Sequence, residues 1–186
     1  MDLNPTLWRT CRVLTGPTRL RLLRLVLTTP GLTVSRLAAE TGISLSRASQ
    51  ELRRLQSRGL LGVERQGPFV RYLSRPDPQV PSAGPLHQAL KAVFAQSDPA
   101  GDETIIRTAF ALAHPRRISI LRKLLDGPAN IAGVSAALDI PFDAVFRHLR
   151  ALRQGQLVLE DSSRFRPARP DSPLAKCLVK LVKSSP

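Results

Sequence analysis

The chain repeats itself at a nearly constant spacing, and this constrains its architecture more than any other feature. Pro17-Thr18-Arg19-Leu20-Arg21-Leu22-Leu23-Arg24 aligns with Pro115-Arg116-Arg117-Ile118-Ser119-Ile120-Leu121-Arg122 at an offset of 98 residues. Ile43, Leu52, Leu55 and Leu60 align with Ile140, Leu149, Leu152 and Leu157 at an offset of 97. Gly84-Pro85-Leu86 and Leu90 align with Ser172-Pro173-Leu174 and Leu178 at an offset of 88. The spacing falls by one residue between the first two segments and by nine between the last two, so the main loss in the second copy lies in its hairpin and the connector that follows. A length of 186 residues divided this way makes two compact units of roughly 90 residues each. The polar stretch Ser97-Asp98-Pro99-Ala100-Gly101-Asp102 separates residues 1–97 from 98–186.

Within the first unit, residues 33–73 carry the strongest local pattern. Val34, Leu37 and Ala38 line one face of a short helix, Thr41-Gly42 ends it, and Ile43 plugs the turn from the core side. Ser44 can cap a second helix over about residues 44–58, in which Ala48, Leu52 and Leu55 recur at helical spacing and face inward. Ser46, Arg47, Ser49, Gln50, Arg53 and Arg54 are left for solvent. Gly59 stops the helix, and residues 60–73 read as a hairpin turning at Gln66-Gly67-Pro68, with Arg65 and Arg71 on its strands.

Upstream, Leu7, Cys11 and Leu14 mark a helix opened by Asn4-Pro5. Leu20, Leu23 and Leu27 mark another that starts at Pro17, with Arg19 and Arg24 expected to point away from the core. Downstream, the Pro-rich run from Arg75 to Pro85 should be an extended connector, followed by a final helix over about 85–95. The second unit follows suit, with a second helix of the pair over about 141–154, a hairpin over about 157–167 and a final helix over about 173–183.

The order helix, Thr-Gly turn, helix of the form I-S-x-S-x-A-S-x-x-L-x-x-L, then R-G-L-L and a Gly-containing hairpin, resembles the winged helix-turn-helix of ArsR-type bacterial transcription regulators. The MarR-type regulators share that architecture and are the nearest confusion. The resemblance covers nearly the whole chain, twice. It implies a mainly α fold with short β-hairpin wings (α+β), arranged as tandem winged helix-turn-helix units. ArsR-type proteins typically dimerise through their first and last helices. The resemblance therefore implies that Leu7–Leu14 packs with Ile105–Leu112 and Leu86–Phe94 with Leu174–Val182, giving a monomeric pseudo-dimer, with a domain-swapped homodimer as the competing assembly.

Charge agrees with a nucleic-acid partner. The chain carries 28 Lys and Arg against 14 Asp and Glu, a net of +14, and most of the cations are Arg, which suits phosphate and base-edge contacts. Residues 1–97 hold fourteen of these cations and five carboxylates, while 98–186 hold fourteen and nine, so the first unit is the more basic one. In the first recognition helix, Arg47, Gln50 and Arg53 are the candidates for base edges, since Arg can donate twice to guanine and Gln can pair with adenine. Ser44, Ser46, Ser49 and Arg54 are candidate contacts beside them, and Arg65 and Arg71 would follow the phosphate backbone from the wing. In the second recognition helix His148-Leu149 matches the His-Leu pair common in the family. Asp143, Phe146 and the wing's Glu160-Asp161 make this unit a poorer base reader, although Arg147, Arg150, Arg164, Arg166 and Arg169 could still touch backbone.

Other chemistries find little support. ArsR-type proteins often sense metals through paired Cys or through Asp/His sets on the final helix; here the final helices offer only His87 and Cys177, and no ligand set or cofactor is expected. His114, before Pro115, reads as a helix cap. No nucleophile–base grouping or phosphate-cradling Gly loop is present, so enzyme activity is not expected. Cys11 and Cys177 read as buried thiols of a cytoplasmic protein. Asp2, Pro5, Arg9 and Arg12 stand where a secretory signal would need an apolar core, and no membrane association is expected. The function expected is sequence-specific binding of double-stranded DNA by a transcription regulator. The alternative is a winged-helix protein-interaction or scaffold module with only non-specific nucleic-acid affinity, a reading that Phe146 admits.

Overall fold

The computed structural model describes residues 6–67, 69–96 and 101–184. In the first half the chain runs α1 (Leu7–Leu14), α2 (Pro17–Thr28), α3 (Val34–Thr41), α4 (Leu45–Gln56), β1 (Gly62–Gln66), β2 (Phe69–Leu73) and α5 (Ala83–Gln96). The second half repeats that order as α6 (Asp102–Ala111), α7 (Pro115–Asp126), α8 (Ile131–Leu138), α9 (Phe142–Gln154), β3 (Val158–Asp161), β4 (Arg164–Pro167) and α10 (Pro173–Ser184). Each half is a tandem copy of a winged helix-turn-helix, with its two-stranded antiparallel hairpin directly after the fourth helix.

Local chemistry sets the helix boundaries. Pro17 and Pro115 occupy first-turn positions, where the missing N–H is no loss. The side chains of Thr33, Ser44 and Asn130 accept backbone N–H bonds at the starts of α3, α4 and α8. Gly42 ends α3 at φ 67°, and the repeat-equivalent Asp139 ends α8 at φ 50°, so the sharp turn survives without glycine at the cost of a less favoured backbone. The hairpin registers pair Val63 with Tyr72 and Leu159 with Arg166.

One apolar core runs through both halves. Leu20, Leu23, Leu37, Leu52, Leu55 and Leu60 fill the first, and Leu121, Val134, Leu149, Leu152, Leu157 and Phe165 fill the second. Each such side chain contributes about 2 kcal/mol by leaving water. Helix α1 packs on α6 and α5 packs on α10, with Leu7, Cys11 and Leu14 buried on one side of the first contact and Ile105, Ala109 and Leu112 on the other.

Three expectations need correction. Arg24 does not point away: it is buried, stacks over Phe94 at 4.4 Å and pairs with buried Asp102 of the second half. Arg19 is also turned inward, onto Glu51. Helix α2 touches α1, α3, α4, α5 and α6, so it has little free face, and periodicity within one helix cannot register packing from the other half. The stretch after the first wing is not wholly extended: Asp77 turns the chain, its carboxylate accepting from the Gln79 N–H, and Val80 is buried against Gly59. The helix start at Asn4-Pro5, the turn residue Pro68 and most of the Ser97–Asp102 boundary lie outside the described residues, while Asp102 itself opens α6.

Candidate nucleic-acid interface

Helix α4 is held by its buried stripe and presents a basic face free of carboxylate. Ala48, Leu52 and Leu55 are fully buried, which turns Ser46, Arg47, Gln50, Arg53 and Arg54 outward and leaves Ser49 half-buried. Ser44 caps the helix, its Oγ accepting from the Arg47 N–H at 3.2 Å, so its hydroxyl proton remains available to an outside acceptor. Glu51, the helix's one carboxylate, is turned inward and held at 3.0 Å by Arg19 and at 3.0 Å by Arg54. Arg54 is therefore partly committed, while among the described residues the side chains of Arg47 and Gln50 have no hydrogen-bond or ion-pair partner that would need to be broken. Arg53 lies by Tyr72, whose hydroxyl is pushed up in pKa by burial and held back by that guanidinium.

The first wing places Arg65 in solvent on β1 and Arg71 half-buried on β2. Arg71 is bridged through its backbone to Thr33 and has a buried Nε without a partner. The wing's cations thus stand at different depths, Arg65 free to sweep and Arg71 held near the start of α3.

Helix α9 presents a different face. Phe142, Asp143, Phe146, Arg147, Arg150 and Arg153 are exposed, and the two phenylalanines are each 54% accessible. Arg147 donates to the Asp143 carbonyl at 3.3 Å, Arg153 pairs with Glu160, and Arg164 donates to the Pro128 carbonyl at 3.4 Å. Arg150 and Arg166 remain exposed. A groove of about 500 Å³ runs between α9 and its wing, walled by Phe146, Arg150, Arg153 and Glu160 over Leu149 and Phe165.

Sequence reasoning missed the exposed apolar residue that opens both recognition helices, Leu45 in α4 and Phe142 in α9, which are equivalent at the repeat offset. Both sit one residue after the turn, outside the buried stripe, and the offset alone would have flagged them as a pair. His114 does cap its helix, with Nδ1 accepting from the Arg116 N–H at 3.2 Å. Cys11 is fully buried, its thiol pushed up to about 12 by that burial, and Cys177 is half-buried; both are free thiols. Among the described residues no cluster of His, Cys, Asp and Glu could hold a metal ion, and no helix is long and apolar enough to cross a membrane.

Residues 14–68 match the family model described as MarR family, and residues 114–158 match the one described as bacterial regulatory protein, arsR family. The first match runs from the end of α1 into the wing and the second from the cap of α7 to the start of β3. The two resemblances weighed for the first unit thus divide between the halves. Comparison with curated proteins and with solved structures returned no match.

Proposed function

The chain carries two tandem winged helix-turn-helix domains of DNA-binding transcription regulators, and we propose that it reads a specific duplex sequence chiefly through its first unit. The observation that carries this reading is the α4 surface: Arg47, Gln50 and Arg53 lie on one exposed face, and Glu51 is withdrawn into an ion pair. A helix of that width fits the major groove, where Arg and Gln have bidentate partners. Ser44, Ser46 and Ser49 sit at the helix start as short contacts, with Arg54, Arg65 and Arg71 on the flanking backbone.

The second unit takes a supporting role, with Arg147, Arg150, Arg164 and Arg166 as backbone contacts. The packing of α1 on α6 and of α5 on α10 supports an intramolecular pseudo-dimer, in which the two halves occupy the places of two subunits. Because the exposed residues of α4 and α9 differ, the two half-sites are read differently and the preferred site is not a palindrome. Exposed Phe142 and Phe146 favour a second reading for the second unit alone, that of a protein-docking face.

Binding to selected duplexes, measured across salt, tests the proposal. Neutralising about five phosphates gives a log–log slope near −4 to −5. Salt-insensitive binding, or selection of a palindrome by an obligate dimer, contradicts it.

A further inference from the structure

The two halves treat one arginine in opposite ways. In the first, Arg19 lies across Gly16, where a Cβ would come within 2.5 Å of its Nη2. Its Nε donates to the Val13 carbonyl at 2.6 Å and its Nη1 to the Glu51 carboxylate at 3.0 Å. The repeat places Arg117 at the position of Arg19, His114 at that of Gly16 and His148 at that of Glu51. An imidazole now stands where the glycine left room, and the carboxylate is gone.

Arg117 is only 7% exposed and lies over the Phe110 ring at 4.5 Å. Its Nε is buried without a hydrogen-bond partner, and among the described residues no carboxylate pairs with it. Cys11 is close enough to interact with it but stays a neutral thiol. A guanidinium in that position has the face of the Phe110 ring but no counter-ion to offset the water its Nε has lost.

Beside it the rings of His114 and His148 face each other, with centroids 4.7 Å apart and planes tilted by 36°. His114 accepts the Arg116 N–H through Nδ1, so in its neutral form the proton sits on Nε2 and can be donated. Both rings are held below the usual histidine range, first by burial and then by the surrounding cations, Arg116 and Arg117 for both and Arg147 for His148. The imidazole pair thus lies within the field of three guanidinium groups near the start of α7, where the helix dipole also favours negative charge.

We infer that Arg117, His114 and His148 form a seat for one small oxyanion, a phosphate or a carboxylate, which gives Arg117 the anionic partner that the Glu51 carboxylate gives Arg19 in the first half. The inference does not rest on the DNA-binding reading. An anion there supplies the buried guanidinium with its missing partner, accepts from the Nε2–H of His114 and draws a proton onto His148.

The chain holds three histidines, which makes the test direct. His87, buried and bonded to Ser74 at 3.2 Å, is an internal reference. Ring resonances of the full-length protein are followed by NMR near pH 6.5 at constant ionic strength. Inorganic phosphate and acetate are titrated separately, and a duplex DNA forms a third arm. The expected result is a saturable shift of His114 and His148 together, with His87 unmoved, and the anion acting at the lower concentration identifies the preferred class. In His148→Glu, which restores a carboxylate, and in Arg117→Met, which removes the guanidinium, the remaining site resonances should lose the saturable response by at least tenfold in affinity. Shifts shared equally by His87, a linear response without saturation, movement with DNA but not with either small anion, or an unchanged response in folded Arg117→Met would each overturn the seat.

Discussion

Helices α4 and α9 keep the same buried stripe, Ala48, Leu52 and Leu55 in one and Val145, Leu149 and Leu152 in the other. Their exposed residues part company: Ser46, Ser49 and Gln50 give way to Asp143, Phe146 and Arg147 at the repeat offset. The fold tolerates this because the buried stripe alone docks the helix, while the outer face is free to change what it meets. Glu51 and His148 lie at the border between those two regimes, half in the core and half out. A substitution there changes the electrostatics of the interior while leaving the backbone path intact. One half therefore holds an internally neutralised arginine and the other an arginine without a counter-ion.

The comparison breaks most forcefully if the first half is made to resemble the second. Glu51→His leaves Arg19, whose side chain is about as deeply placed as its partner's, without a counter-ion. Loss of one member of such a pair should cost about 3 kcal/mol, or roughly 6–12 °C in Tm for a chain of this size. Thermal melts and urea titrations check it. A loss below about 0.5 kcal/mol would place the pair with ordinary surface contacts.

The recognition faces supply the next effect. Gln50→Ala should weaken binding to a selected DNA site by about 2 kcal/mol while largely sparing random duplex, because base contacts specify and phosphate contacts position. Its counterpart Arg147→Ala should lower both affinities slightly and about equally. Parallel binding curves on selected and random DNA decide the matter, and equal losses for Gln50→Ala would move the reading residue elsewhere on α4.

A smaller effect comes from making the second half resemble the first. His148→Glu offers Arg117 a carboxylate, yet His114 still fills the space that Gly16 leaves open, so the restored pair cannot adopt the geometry of Arg19. A gain of about 1 kcal/mol is expected from chemical denaturation. Arg117→Met, which replaces the unpaired cation with an apolar chain of similar length, should be neutral or mildly stabilising. A loss of several kcal/mol in Arg117→Met would show that the cation is compensated after all.

The element order was legible in the sequence because two periodicities, helical spacing and the near-98-residue repeat, are written in apolar residues that must be buried. The outward face of α4 was legible for the same reason, as the complement of its stripe. The inward turn of Arg19 and Arg24 was not, since long charged side chains can cross a helix surface to partners that only tertiary packing brings near. Glu51 is 32 residues from Arg19, and Asp102 is 78 from Arg24. The Arg117 cluster lay between these cases. The repeat offset pairs Gly16 with His114 and Glu51 with His148, but only the observed Arg19–Glu51 bond shows that the exchange removes a counter-ion.

The smallest effect concerns pH and again separates the halves. His148 has its pKa lowered from 6.5 to about 4, chiefly by burial and then by His114, Arg117, Arg116 and Arg147. The unfolded chain thus binds a proton more readily than the folded one between those values. Stability from this group is complete above about pH 6.5 and is lost progressively as pH falls toward 4. Because the ring is only partly withdrawn from water, screening keeps the loss at pH 5.5 under about 1 kcal/mol, or roughly 2–3 °C in Tm. His114 and His87 are lowered as well, so the whole-protein curve sums three histidines and the measurement must be a difference. Melts of the natural chain and of His148→Gln at pH 7.5 and 5.5 give it: the variant should lose less on acidification. Phosphate at concentrations that fill the seat should narrow that gap by raising the His148 pKa in the folded state. Equal acid sensitivity in His148→Gln would mean that the lowered histidine lies elsewhere.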